Sequence, residues 1–262
     1  MTTRILTVAT ALTFLHGVVH AQLACNSTVG KKEKVTLTAD VGPCDGDSGS
    51  TAAIVIDGGT VDLAGHTVTC VDENTDGEVP QGIILVGKKS KVMNGSVVGC
   101  MNCIGLAGSG KHLVSAITVQ GCHDDGVDVA GAANKNKLTN VTATQNASDG
   151  VQVGTDKNKL TNVTAQGNGE DGIDLESTAD KNKLTNVTGD GNADDGLEIG
   201  GNKNKVKTVS ASGNGDTGID FDGVKNKVSG GTAHSNLGVD VADCDGNKLA
   251  GVTFATATSD CQ

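Results

Sequence analysis

The sequence has no tryptophan, no tyrosine and no arginine after Arg4, and beyond residue 21 its only aromatic residues are Phe221 and Phe254. Missing aromatics exclude platforms on which sugar rings could stack. Acid outnumbers base, 31 Asp+Glu to 20 Lys+Arg, so nucleic acid and anionic membrane surfaces are poor partners by charge. No later apolar run is long enough to cross a bilayer core of about 30 Å. The first residues have the form of an export signal, with a charged Met1–Arg4, an apolar Ile5–Leu15, and small residues in Val19-His20-Ala21 ahead of Gln22. Residues 1–21 are therefore read as a cleaved signal peptide. Cleavage removes Arg4 and no acid, leaving 19 Lys+Arg against 31 Asp+Glu, a net charge of −12. The expected location is the cell exterior, or the periplasm of a Gram-negative host.

What the chain has in quantity is glycine, 38 residues, together with a repeat. NKLTNVTATQNASDGVQV, NKLTNVTAQGNGEDGIDL, NKLTNVTGDGNADDGLEI and NKVKTVSASGNGDTGIDF are plainly versions of one unit. The aligned Leu138, Leu160, Leu184, Val206, Val228 and Leu249 step by 22, 24, 22, 22 and 21 residues. Glycine and short β-branched runs in every unit exclude helix. Each unit reads as three short strands: Ile173-Asp174-Leu175, Lys159-Leu160 and Val163-Thr164-Ala165. Alternation points Ile173, Leu175, Leu160, Val163 and Ala165 inward and Asp174, Lys159 and Thr164 outward. The glycine before the first strand (Gly126, Gly150, Gly172, Gly196, Gly218, Gly238) is expected at positive φ. All eight cysteines follow the signal and cluster at the two ends of the array, which predicts disulfides. A zinc site built on Cys100-x-x-Cys103 is the alternative, and no second ligand pair stands at the matching spacing.

The N-x-L/V…N…D-G-I/V-x-L cadence, the segment Thr60–Cys70 (TVDLAGHTVTC) and Lys91–Val97 (KVMNGSV) resemble the right-handed parallel β-helix repeats of the pectin-lyase-like superfamily. The resemblance covers residues from about 54 to 254, nearly all of the chain after the signal. It implies an all-β, right-handed single-stranded parallel β-helix of about ten coils. Residues 22–53 would form an N-terminal cap, 54–254 the helix, and 255–262 a C-terminal cap or tail. Fold resemblance carries no single function, because this superfamily hosts lyases, hydrolases, epimerases and inert stalks.

Stacked coils turn the sequence into columns. Two are asparagine: Asn136, Asn158, Asn182, Asn204, Asn226, Asn247, and Asn146, Asn168, Asn192, Asn214, Asn236. Their expected role is hydrogen bonding between coils. A cationic column runs Lys91, His112, Lys137, Lys159, Lys183, Lys205, Lys227, Lys248, and a hydroxyl column runs from Ser96 to Thr253. The outward column of the first strand is Ile84, Gly105, Asp128, Gln152, Asp174, Glu198, Asp220, Asp240, flanked by Asp125, Asp149, Asp171 and Asp195. Carboxylates one coil apart, about 4.8 Å, repel unless protons or cations intervene. Oxygen-only ligands on turns suit Ca²⁺, so Asp171, Asp174, Asp195, Glu198 and Asp220 are the candidate metal ligands.

In the resembled family the first-strand face is the groove of polysaccharide-active members, whose carboxylates protonate a glycosidic oxygen and activate water. The candidate catalytic group here is His123, Asp124, Asp125, Asp128 and Asp149, the one place where a histidine meets several acids. Against catalysis, the chain lacks the arginine, Arg-x-Lys and Gly-His-Gly features of those enzymes. Its coils also vary by only two or three residues in length, residues 71–81 being the one longer excursion. The expectation is a noncatalytic scaffold, adhesive or polysaccharide-contacting protein whose partner is an extracellular polysaccharide or cell-surface component. The alternative is a polysaccharide hydrolase, lyase or epimerase.

Overall fold

A computed structural model describes residues 18–46, 51–72 and 79–261. Most of the expected signal and residues 73–78 of the excursion lie outside the described residues. Among the described residues the chain winds through two parallel sheets, one of nine strands and one of thirteen, with strands from successive coils as neighbours. Short strands such as Val127–Val129, Val151–Val153, Ile173–Leu175 and Leu197–Ile199 follow the apolar-x-apolar pattern. Long strands such as Lys137–Thr144, Lys159–Gln166 and Lys183–Asp190 form the other sheet. Ile173, Leu175, Leu160, Val163 and Ala165 are all buried, as alternation requires. Among the described residues no helix is long and apolar enough to cross a membrane. Val19–Ala21, at the predicted cleavage site, pairs with Val35–Leu37.

The second and third predicted strands are two arms of one long strand. A single left-handed residue bends each, at Asn140 (φ 53°), Asn162 (φ 53°), Asn186 (φ 55°) or Thr208 (φ 60°). Pairing continues on both sides of the bend, with Thr139 beside Thr161 and Val141 beside Val163. Asparagine tolerates this conformation better than most residues, and its amide here bonds to the neighbouring coil, Asn162 Nδ2 donating to Asn140 Oδ1 and Asn186 Nδ2 to Asn162 Oδ1 (both 2.9 Å).

The glycine column departs from expectation. Gly126, Gly150, Gly172, Gly196 and Gly218 do not have positive φ. They are required by crowding instead: a Cβ on Gly196 would lie 2.6 Å from Asn214 Nδ2 and 2.6 Å from the Gly189 carbonyl oxygen. Left-handed glycines stand instead at other corners, as with Gly121, Gly167, Gly191 and Gly213 after the long strand, where a Cβ would meet nothing within 4 Å.

Both asparagine columns are buried ladders. In the first, the backbone N–H of Asn136 donates to Asn158 Oδ1 (2.8 Å), Asn158 to Asn182 (2.7 Å), and Asn182 to Asn204 (2.7 Å). In the second, both the backbone N–H and Nδ2 of Asn146 donate to Asn168 Oδ1, and the pattern repeats to Asn236. Each bond satisfies a polar group that water cannot reach, where leaving it unmade costs about 1–3 kcal/mol. His112 belongs here and not in the lysine column, whose position in that coil is taken by Leu113, beside Lys91 and Lys137. Its Nδ1 accepts from the Ser90 N–H (3.1 Å), and Nε2–H donates to the Ala107 carbonyl (2.8 Å). Burial lowers its pKa, consistent with a neutral ring.

The ends depart from the simple repeat. Ile219 bridges Val241, so Asp240 stands one coil beyond Gly218, not beyond Asp220, and Gly238 leaves its predicted column. Disulfides Cys25–Cys44, Cys70–Cys100 and Cys103–Cys122 brace the N-terminal coils, and Cys244–Cys261 the C-terminal one. Cys100 and Cys103 sit in different bridges, which removes the zinc alternative.

The glycine geometry predicts two different costs. Gly196→Ala forces overlap and should cost about 3 kcal/mol; Gly191→Ala needs only a left-handed alanine and should cost about 1 kcal/mol. Urea unfolding of the two variants reads the difference, and equal midpoints would contradict the steric account.

Candidate functional site

The short-strand sheet places the acidic stripe. Register pairs Gly105 with Asp128, Asp128 with Gln152, Gln152 with Asp174, Asp174 with Glu198, and Glu198 with Asp220. The turn just before each strand adds the flanking column. There the Asp149 N–H donates to Asp125 Oδ1 (3.1 Å), Asp171 to Asp149 (2.9 Å), Asp195 to Asp171 (2.7 Å) and Thr217 to Asp195 (2.7 Å). Asn102 starts this ladder by accepting from Asp125 (2.8 Å). The flanking acids thus hold neighbouring coils together with one oxygen, a second role that alternation alone does not reveal.

Burial dominates the electrostatics. Asp174 points away from the core yet is only 9 % exposed, because the turn acids and Glu198 crowd around it. No hydrogen bond to its carboxylate forms among the described residues. Burial first, then the charges of Glu198, Asp149, Glu176 and Asp125, pushes its pKa up to about 8. Asp171 is pushed up to about 9, by burial and by sharing a hydrogen bond with the Glu198 carboxyl. Asp125 and Asp195 rise to about 7, and Asp128, Asp149 and Asp220 to about 6, with burial the main cause in each. Asp240, outside the stripe, goes the other way. Burial raises it, but hydrogen bonds from the Ala255 and Thr256 N–H groups prevail and hold it below the ordinary value.

Among the described residues, three groups of carboxylates bring ligand oxygens within 4.8 Å of one another: Asp171–Asp174–Glu198, Asp171–Asp194–Asp195 and Asp220–Asp222–Asp243. The first two share Asp171 and contain four of the five candidate metal ligands. Asp220 stands apart from them, in the third group. Asp222 and Asp243 were not among the candidates, although Asp220-x-Asp222 is a visible signal; Asp243 arrives through the shifted last coil, which the sequence period does not predict. Hard oxygen donors of this kind suit Ca²⁺, whose six to eight ligands water can complete.

The candidate catalytic group is only partly assembled. Asp125 feels the charges of Asp149, Asp124 and Asp128, so those four acids are neighbours. Asp128 Oδ1 is buried without a hydrogen-bond partner. His123 is exposed, and neither a hydrogen bond nor an ion pair joins its imidazole to any of the acids; its backbone N–H donates to the Cys100 carbonyl (2.8 Å). It does not orient them.

A family model described as "Right handed beta helix region" matches residues 102–254. No curated protein matches the chain. Among solved structures, the periplasmic alginate epimerase AlgG aligns at 13 % identity over 92 % of this chain and 79 % of its own, with a TM-score of 0.59. The A-module of a mannuronan C-5 epimerase from Azotobacter vinelandii aligns at 14 % identity, 88 % and 75 % coverage, and a TM-score of 0.53. The catalytic domain of a GH87 α-1,3-glucanase in complex with nigerose aligns at 12 % identity and a TM-score of 0.54, over 94 % of this chain but 62 % of its own. At these identities the likeness is one of fold.

The stripe predicts an unusual stability profile without divalent cations. Raised carboxyl pKa values mean that the folded chain keeps protons the unfolded chain releases near pH 4, so stability falls as pH rises from about 4 through about 9. Melting in EDTA should show Tm dropping across that window. Asp174→Asn, which removes one buried charge, should raise stability at pH 8 by more than about 1 kcal/mol and flatten the slope. A wild-type Tm that rises from pH 5 to 8 in EDTA would contradict the burial argument.

Proposed function

This chain belongs to the right-handed β-helix family, and from that premise we propose that it is a secreted, noncatalytic scaffold whose acidic face binds calcium and contacts carbohydrate. The observation that carries the reading is the convergence of Asp171, Asp174 and Glu198 within 4.8 Å, around a carboxylate that is nearly buried and receives no hydrogen bond. Such a charge needs a proton or a cation, and the shared Asp171 links this group to Asp194 and Asp195. Calcium would neutralise the stripe and remove the repulsion between coils. Four disulfides support an oxidising location, extracellular or periplasmic. Neighbours in fold that act on alginate or α-1,3-glucan support a polysaccharide or cell-surface partner. The regular coils support a noncatalytic role, because no long loops wall the acidic face among the described residues.

One observation favours a second reading, a polysaccharide hydrolase, lyase or epimerase. Asp128 has an unpartnered buried oxygen and a pKa pushed up to about 6, beside Asp125 at about 7 and Asp149 at about 6. A carboxyl that holds its proton near neutrality next to an ionised one is the equipment of a general acid–base pair. Should the protein cleave or epimerise a polysaccharide, Asp128→Asn and Asp125→Asn should each lower kcat by about a hundredfold or more. Unchanged turnover would remove these residues from the chemistry.

Calcium titration followed by thermal melting tests the leading reading. Millimolar Ca²⁺ at pH 7.5 should raise Tm by several degrees, Mg²⁺ less, and the shift should shrink as pH falls and protons compete for the carboxylates. Asp174→Asn and Glu198→Gln should abolish it. If wild type shows no shift at millimolar calcium, the cation-loaded face is wrong.

A further inference from the structure

The face formed by the first arm of the long strands is opposite in charge to the acidic stripe. Lys159, Lys183 and Lys205 stand side by side in register along it, continuing to Lys137 on one side and Lys227 and Lys248 on the other. A second lysine column, including Lys157, Lys181 and Lys203, runs parallel to it two residues earlier, at the corner before the strand. All of these side chains are exposed. The asparagine between the two lysines of each coil is buried in its ladder, so the fold holds both lysines outward.

Two features set this ridge apart from an ordinary solvated surface. Lys135, Lys157, Lys181, Lys203 and Lys225 occupy the left-handed region, with φ between 60° and 63°, at a conformational cost glycine would not incur. Glycine fits this corner: Gly246 holds it in the last coil, where a Cβ would come no nearer than 3.7 Å to another residue, at Val224. Coil after coil therefore carries a lysine where neither packing nor backbone geometry asks for one, and places it one coil from a like charge. The charge is neutralised only in part: Asp180 lies close enough to Lys181 and Lys203 to feel their charges. Among the described residues the one lysine ion pair is Lys157–Asp156, 3.6 Å. Asp156 and Asp180 each accept a backbone N–H from the next coil (3.0 and 2.9 Å).

Beside the ridge lies a surface hollow of about 230 Å³ lined by Lys183, Thr185, Lys205, Lys207, Lys227 and Ser229. In earlier coils the position of Thr185 is held by Thr139 and Thr161, whose hydroxyls are buried without a hydrogen-bond partner.

We propose that this ridge is a docking surface for a linear, carboxylate-bearing polysaccharide. Its cations repeat at the coil spacing of about 4.8 Å, which suits an extended chain with regularly spaced single charges. At the hollow, the half-buried Thr185 and Ser229 carry hydroxyls that suit sugar hydroxyls. Lysines without arginine offer point charges and not the bidentate fork that favours phosphate. With no Trp or Tyr and two Phe beyond residue 21, stacking of nucleic-acid bases has no platform. For the class of partner this rests on the carbohydrate reading, but it does not require calcium.

Polygalacturonate is the probe, with neutral dextran, single-stranded DNA and anionic phospholipid vesicles beside it. Wild type should bind polygalacturonate and release it as salt rises from about 50 to 200 mM. The triple variant Lys159→Glu, Lys183→Glu, Lys205→Glu should bind at least about tenfold more weakly with an unchanged Tm. The Lys→Gln triple, which removes charge without reversing it, should fall between. Asp174→Asn and EDTA should leave binding intact. Wild-type affinity in the Lys→Glu variant, absence of polygalacturonate binding, or equal binding of DNA or vesicles would each overturn the ridge. Binding lost to EDTA or Asp174→Asn but kept in the lysine variants would overturn the ridge alone and leave the acidic face as the carbohydrate contact.

Discussion

Everything in this molecule depends on one requirement: each coil must reproduce the one before it at hydrogen-bonding distance. Parallel strands about 4.8 Å apart leave no room for independent turns, so turn residues stack as strictly as strand residues. Where a turn would bury an N–H, the side chain of the neighbouring coil accepts it. The Asn136 and Asn146 columns do this in the interior and the Asp125 column at the edge of the acidic face, while a fourth ladder from Asn134 through Asp156, Asp180 and Asn202 runs beside the lysine corner.

That requirement also creates the electrostatics. A residue type that suits a turn in one coil is repeated in the next, so charge of one sign accumulates along a face. Aspartates accumulate on the short-strand side and lysines on the long-strand side. Neither column is self-neutralising, and the two faces have different remedies. The acids are partly buried and can hold protons, as the raised values for Asp171 and Asp174 reflect. Exposed lysines have no such recourse and invite an external anion.

Calcium on one face and an acidic polysaccharide on the other would make a single architecture serve two contacts. Both proposals draw on the repeat and neither needs a catalytic residue. The carboxyls around Asp128 are the place where chemistry would arise, and His123 takes no part in their arrangement.

The period of about 22 residues was enough to identify the solenoid, to choose the inward residues of each strand, and to sort the outward ones into acidic, lysine and hydroxyl columns. These follow from alternation and stacking, which are local rules. Other features needed the coils in place. Gly196 is glycine because Asn214 and the Gly189 carbonyl press against it, a contact between coils that no φ preference encodes. His112 reads as a member of the lysine column until the register with Asn136 shows it in the ladder. Asp240 and Gly238 leave their columns because the last coil pairs Ile219 with Val241. Asp174 is outward by alternation and buried by its neighbours. The sequence by itself determined which way the strand side chains of the regular coils point; only the tertiary structure decided how deeply they sit and what they touch, because direction belongs to one strand whereas burial and hydrogen bonding belong to the distance between coils.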